Sequence, residues 1–194
     1  MRICVFGAAS AHIDDKYIKA VEELGAEIAA RGHELVFGGG GSGLMGAVAR
    51  GVKRGGGYIH GIVPSFFRDD GVEALFDGAD KMTYTDDMSE RKRLMEELAE
   101  AYIIVPGGVG TLDEFFEILT LKQLGRHDKA IVVYNIDGYF DALESFMVRM
   151  ADGRFVTREC KNMYAQAETA GDAIANIEDY TPTGAGWKKL KLGD

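Results

Sequence analysis

The sequence predicts an α/β chain built on a Rossmann-like, doubly wound and mainly parallel sheet in a single domain. Three observations carry that expectation. Short apolar runs recur along the chain, and most are continuous rather than alternating, as strands covered on both faces require. Between them lie stretches whose apolar residues recur every three or four positions, the period of an amphipathic helix. Glycines and other small residues cluster where a run gives way to a helical stretch, which is where open parallel sheets hold ligands. With 194 residues the chain can bury one sizeable core and needs no second domain. The domain is expected over 1–180, followed by a loose tail over 181–194 that contains Pro182, Gly184 and Gly186.

The first strand is read over 3–6 and passes into Gly7, Ala8, Ala9 and Ser10. Ser10 is a candidate donor to a phosphate or sugar, and equally a loop hydroxyl bonded to its own backbone. Tyr17, Val21, Leu24 and Ile28 place a helix over 14–31, with Asp14 or Asp15 as cap and Gly32 as stop. A second strand over 34–37 runs into four glycines, Ser42 and Gly43, and a shorter helix follows over 44–54. Gly41, Gly43 and Gly46 spell G-x-G-x-x-G, a weak dinucleotide fingerprint by itself. The next strand, 58–63, ends in Pro64-Ser65 and not in the acidic residue that holds a nicotinamide nucleotide's ribose, so NAD is not expected. No G-K-[ST] occurs, which excludes a Walker-type triphosphate site. Two readings of the glycine run remain: backbone contact with a ligand through Gly40, Gly41 and Gly43, or a tight turn that packs the helix closely on the sheet.

A charged helix is expected over 88–100. Arg91 shares its stripe with Met95, Leu98 and Tyr102, whereas Lys92 and Arg93 fall to either side. A cation on an apolar stripe needs a partner, so Arg91 either forks a phosphate or carboxylate or snorkels at the helix edge. Met88, which opens this helix, is counted among the candidate substrate contacts.

Residues 101–114 carry the most information. An apolar run ends at Pro106, passes Gly107, Gly108 and Gly110, and opens a helical pattern over 111–124. Glycines let backbone N–H groups approach a ligand closely, and a helix start favours negative charge, so Gly107, Gly108, Val109, Gly110 and Thr111 form a candidate phosphate grip. Glu114 cannot itself bind a phosphate. T-x-x-E is also the capping box, in which Thr111 and Glu114 would satisfy backbone donors at the helix start. Against that, Glu114, Ile118 and Leu121 share an inward stripe, which points to function. Asp113, about 100° away, is expected in solvent, and Glu117 either pairs with Glu114 or lies on the surface. A strand over 129–136, a helix over 139–151 and a last helix near 172–179 complete the pattern.

A net charge of -9 argues against nucleic-acid polymers and anionic membranes as partners. Cys4 and Cys160 form no CxxC or Cys/His cluster, so neither a disulfide framework nor a zinc site is expected, and a reducing cytoplasm fits best. No signal-peptide core and no run of about 18 apolar residues is present. His12, His33, His60 and His127 lack metal-ligand spacing, and no metal site is expected. Phe66-Phe67 and Phe115-Phe116 could stack on a purine, although core or dimer packing is the commoner use of such pairs.

The glycine run at 38–46, Glu90-Arg91-Lys92 at the opening of a helix, and Pro-Gly-Gly-Val-Gly-Thr-Leu-Asp-Glu at 106–114 together resemble the LOG ("lonely guy") family, in the same order over about residues 2–179. The resemblance implies hydrolysis of the N-glycosidic bond of an adenine-type (cytokinin riboside) nucleoside 5′-monophosphate to free base and ribose 5-phosphate, without a cofactor, by a homodimer or larger assembly. It also implies Arg91 and Glu114 as the catalytic pair and Lys92, Gly108 to Thr111, and Thr120 as substrate contacts. The chemistry is consistent: a carboxylate near the anomeric carbon can stabilise an oxocarbenium-like state and orient or deprotonate water. Ser89, Val109 and the run Pro64-Ser-Phe-Phe depart from the family's usual residues and leave the base open between prenylated adenine, adenine and another purine. Molybdenum cofactor carriers share the fold and bind without hydrolysis; retention of Arg91 and Glu114 favours the enzyme. The lysine decarboxylase label sometimes given to such chains requires pyridoxal phosphate on a lysine, and no lysine here lies in a recognisable Schiff-base motif.

Overall fold

The continuous apolar runs form strands, and the runs of period three to four form the helices that cover them. In the computed structural model, which describes residues 1–69, 71 and 74–182, the order is β1 (Arg2–Phe6), α1 (Asp15–Ala30), β2 (Glu34–Phe37), α2 (Gly43–Arg54), β3 (Ile59–Pro64), α3 (Ser65–Asp69) and β4 (Lys81–Thr85). There follow α4 (Met88–Leu98), β5 (Ala101–Ile104), α5 (Val109–Gln123), β6 (Ala130–Tyr134), α6 (Asp141–Asp152), β7 (Ala165–Ala167) and α7 (Ala170–Glu178), with 3-10 turns at Ile136–Gly138 and Arg158–Met163. Residues 183–194 of the expected tail lie outside the described residues.

All seven strands pair in parallel, in the order β4-β3-β2-β1-β5-β6-β7. Alternation along β1 shows the double winding. Ile3 and Val5 pack with Val21, Leu24 and Val48 of α1 and α2 and Ile174 of α7 on one face. Cys4 and Phe6 pack with Met95 of α4, Phe115 and Ile118 of α5 and Met147 of α6 on the other. Succession runs from β1 outward to β4 on one side and from β5 to β7 on the other, so the chain reverses direction between β1 and β5. In open α/β sheets the crevice at that reversal, at the carboxyl ends of the strands, is the ligand position.

Two strands and one helix were not foreseen from the sequence. β4 is an edge strand whose residues are half-buried or exposed except Thr85, so it lacks the continuous apolar run of a central strand. β7 has only three residues and α3 only five, too short for either period to register.

Helices α1 and α2 meet through glycines. A Cβ at Gly25 would collide with the Val48 carbonyl oxygen, and one at Gly51 with the Glu22 carbonyl oxygen, so the two backbones touch directly. Arg50 donates to Glu22 across the same seam at 2.8 Å. Forcing side chains into such a contact costs about 1–3 kcal/mol. Gly25→Ala and Gly51→Ala are each expected to lower the melting temperature by several degrees, whereas Gly171→Ala in α7, where a Cβ meets nothing within 4 Å, should leave it unchanged or raise it slightly; calorimetry of the three variants checks the ordering.

Candidate active site

The helix after β5 begins two residues earlier than its T-x-x-E pattern suggests. Gly108 is the N-cap of α5 and makes no side-chain cap bond, and Val109 is the first helical residue. Leu112 donates its N–H to the Gly108 carbonyl at 3.1 Å, which places Thr111 inside the first turn and Glu114 in the second. The capping box therefore does not form, and the Glu114 carboxylate is left for another partner. The amides of the first turn have no intrahelical acceptors and no side-chain cap, the local arrangement that favours negative charge. The preceding loop is pinned from two sides. Tyr139 donates its hydroxyl to the Gly107 carbonyl at 2.8 Å, and the Thr111 side chain lies against Gly107, where any Cβ would strike it.

Arg91 arrives from the opposite side on α4. That helix is capped by Asp87, which accepts from the Glu90 N–H at 2.8 Å, while Glu90 accepts from the Asp86 N–H at 2.8 Å. Arg91 Nη1 meets Glu114 Oε1 at 3.2 Å, with the two side chains only 12% and 10% exposed. Its guanidinium lies directly over Gly38 at the end of β2, a place that any side chain at position 38 would fill. Arg91 Nε is buried and has no hydrogen-bond partner, an unpaired donor behind the guanidinium that lines the cleft.

These groups line a cleft of about 360 Å³. Val5 and Phe6 at the end of β1 and Gly7 to Ala9 after it form its floor, Gly38, Gly40 and Met45 one flank, Phe67 and Met88 an apolar corner, and Gly108, Gly110, Thr111, Asp113 and Glu114 the α5 wall. The cleft thus sits at the reversal between β1 and β5. Burial pushes the Glu114 carboxyl up to about 7; Asp113 and Glu117 add to the rise, and Arg91 and Lys92 oppose it.

Of the expected site residues, the structure brings Gly40, Met88, Arg91, Gly108, Gly110, Thr111 and Glu114 to this cleft. Other placements differ. Gly41, Gly43 and Gly46 have packing roles. Gly41 donates to the Ala74 carbonyl at 2.7 Å, Gly43 has a positive φ and abuts the backbone of Ala8 to Ser10, and a Cβ at Gly46 would collide with the Gly41 carbonyl. The first amides of α2 are also engaged, Leu44 donating to the Ala8 carbonyl at 2.8 Å. Ser10 accepts from the His12 N–H at 3.3 Å, the turn reading of that hydroxyl. Val109 is 86% exposed, and Thr120 is exposed on the outer surface of α5. Lys92 is held by Asp113 at 3.1 Å and Glu117 at 2.7 Å. Phe115 is core, edge-on to Tyr164. Gly38, Met45 and Tyr139 were not singled out from the sequence; for Gly38 only its place in the glycine run was a signal. The one buried lysine among the described residues, Lys122, does not line the cleft: it donates to the Lys129 carbonyl at 2.7 Å and lies over the Tyr180 ring.

The raised Glu114 carboxyl has a consequence for stability. Between about 4.5 and about 7 the unfolded glutamate is ionised while the folded one keeps its proton, so folding loses stability as pH rises through that window and no more above it. Relative to Glu114→Gln, the wild-type protein should therefore be progressively less stable from pH 4.5 to 7; urea unfolding of both proteins across that range measures it, and parallel curves would contradict the assignment.

Residues 45–177 match a family model described as "possible lysine decarboxylase". The cytokinin riboside 5′-monophosphate phosphoribohydrolase LOG1 of Arabidopsis thaliana is 36% identical over 181 residues, covering 93% of this chain and 84% of that protein. The probable cytokinin riboside 5′-monophosphate phosphoribohydrolase LOGL5 of Oryza sativa subsp. japonica is 36% identical over 194 residues, covering 98% of this chain and 77% of that protein. Among solved structures, the molybdenum cofactor binding protein of the phototrophic bacterium Rippkaea orientalis superimposes with a TM-score of 0.70 at 23% identity, over 91% of this chain and 94% of that one, a likeness of fold. With the family match over 45–177 and 36% identity across 93% of its length, this chain belongs to the LOG family.

Proposed function

We propose that the protein hydrolyses the N-glycosidic bond of an adenine-type nucleoside 5′-monophosphate, such as a cytokinin riboside 5′-monophosphate, releasing the base and ribose 5-phosphate. The named activity of its relatives supports this reading. The observation that carries it is the buried Arg91–Glu114 pair beside the uncapped start of α5. An anion site next to a carboxylate suits a substrate that has a phosphate at one end and develops positive charge a few bonds away.

In this reading the 5′-phosphate rests on the amides of Gly108 to Thr111 and is fixed against the sugar's reacting face, a positioning effect that can lower a barrier by several kcal/mol. As the bond from the anomeric carbon to the base nitrogen breaks, the electron pair leaves with the base and the sugar becomes cationic. Ionised Glu114 stabilises that charge, orients the attacking water and accepts its proton, and the departing base takes up a proton from solvent as Glu114 returns its own, so that neutral base and ribose 5-phosphate are released. Arg91 holds the carboxylate in place and presents its guanidinium at the cleft wall to a ribose or phosphate oxygen. A base with its titration near the working pH is well matched to this task.

We also infer a cytoplasmic enzyme that works as a homodimer or larger assembly, supported by two free buried cysteines and by the exposed Val109 and Leu124 at either end of α5. Among the described residues no helix is long and apolar enough to cross a membrane. Gel filtration reads the assembly state directly.

Incubation with adenosine monophosphate and with isopentenyladenosine monophosphate should yield free base and ribose 5-phosphate from at least one of them. No product from either, together with tight binding of a phosphorylated pterin, would favour a carrier instead. Glu114→Gln should lower kcat by roughly 100-fold or more and leave nucleotide Kd within about tenfold, because the phosphate grip is intact. For the wild type, kcat/KM should climb about tenfold per pH unit below the Glu114 midpoint and level off above it; a flat profile between pH 5 and 8 would remove Glu114 as the base.

A further inference from the structure

Arg91 and Lys92 are neighbours on α4, so their side chains leave the helix about 100° apart, yet both end on α5. Arg91 reaches Glu114. Lys92 reaches around it to Asp113 at 3.1 Å and Glu117 at 2.7 Å, two carboxylates one helical turn apart and therefore on the same face. The Lys92 side chain is only 19% exposed, whereas Asp113 and Glu117 are 58% and 36% exposed. Glu117, and Asp113 beside it, hold the Lys92 ammonium in its charged form and raise its pKa above the ordinary lysine value. A lysine that serves a ligand in a cleft would be expected to line it with its head group free. This one does neither: its ammonium is bound by two carboxylates, and the cleft wall at this point is Asp113.

We propose that Lys92 is a positioning residue that sets the charge state of Glu114, by neutralising part of the Asp113–Glu117 pair and by holding α4 against α5 so that Arg91 meets the carboxylate. The inference rests on the hydrolase reading for its effect on turnover, but not for its electrostatics. Arg91 of α4 contacts Glu114 at 3.2 Å, and the other charged and titratable groups near enough to act on it are Lys92 of α4, Asp113 and Glu117 of α5, and the buried Cys4 thiol of β1. With Lys92 present, the cluster of Asp113, Lys92 and Glu117 has one net negative charge. Without it the cluster has two, and the ionised form of Glu114 is disfavoured. With Glu117 neutralised the cluster has none, and the ionised form is favoured. Two substitutions on different helices therefore act in opposite directions on one group, a pattern that neither loss of a substrate contact nor general loosening would produce.

The test is the titration midpoint of Glu114 in the full-length protein, followed by carbon-13 NMR of labelled glutamate with Glu114→Gln used to assign the signal. Lys92→Met should raise the midpoint and Glu117→Gln lower it, each by roughly 0.5 to 1 on the pH scale, while Lys92→Arg keeps it near the wild-type value. If the protein is the hydrolase proposed above, the acid limb of kcat/KM moves with the midpoint in each variant. Midpoints that stay within 0.2 of wild type in both Lys92→Met and Glu117→Gln, or that move in the same direction, overturn the proposal. Because the NMR titration needs no turnover, absence of hydrolysis would count against the functional reading and leave this inference standing on its own result.

Discussion

A carboxylate closed off from water is the constraint around which this cleft is arranged. Glu114 is 8% exposed, and burial of an ionised carboxylate is unfavourable unless a cation and hydrogen bonds replace the lost solvent. The chain supplies one guanidinium, from Arg91, and then surrounds the pair with further charges of both signs. The balance is close, so burial prevails over Arg91 and the group titrates near neutrality rather than near its ordinary value. Structural carboxylates are more commonly driven the other way, as Glu178 is by Arg31 and His33 at the far end of the molecule. The contrast between these two glutamates is one of environment: burial dominates at Glu114, and paired cations dominate at Glu178.

Placement of that pair depends on contacts well away from it. The reversal of chain direction between β1 and β5 opens the crevice, but its walls come close only because glycines let backbones touch. Gly38 admits the Arg91 guanidinium, Gly43 admits the β1 loop, and Gly25 with Gly51 brings α1 against α2. Most of the glycine run therefore serves packing, with Gly38 and Gly40 lining the cleft opposite Gly108 and Gly110 at the start of α5. Tyr139 and Thr111 hold that loop in place, which keeps an anion site at fixed distance from the carboxylate.

Much of this was legible in the sequence, for identifiable reasons. Central strands such as β5, buried along its whole length, announce themselves as continuous apolar runs, and α1 ends within a residue of its expected bounds because Asp14 and Gly32 punctuate it. Arg91 on an apolar stripe and Glu114 after a glycine loop were visible as groups in need of partners, and they proved to be each other's. What escaped notice is tertiary. T-x-x-E reads as a capping box whether or not the helix starts at Thr111, and neither the earlier start at Val109 nor the bond from Tyr139 to the Gly107 carbonyl is marked in that local pattern. Lys92 is a substrate contact only by the family resemblance, and nothing local reveals that Asp113 and Glu117 converge on it from another helix. The edge strands β4 and β7 bury too little to leave a pattern.

The central claim, that Glu114 faces the anomeric carbon of a nucleotide held by its phosphate, is tested most directly by a crystal structure of the Glu114→Gln variant with adenosine monophosphate. The account predicts the phosphate on the amides of residues 108–111 and the anomeric carbon within about 3.5 Å of a water or side-chain oxygen at position 114. A nucleotide whose phosphate lies elsewhere, or whose ribose turns its anomeric carbon away from α5, would contradict it.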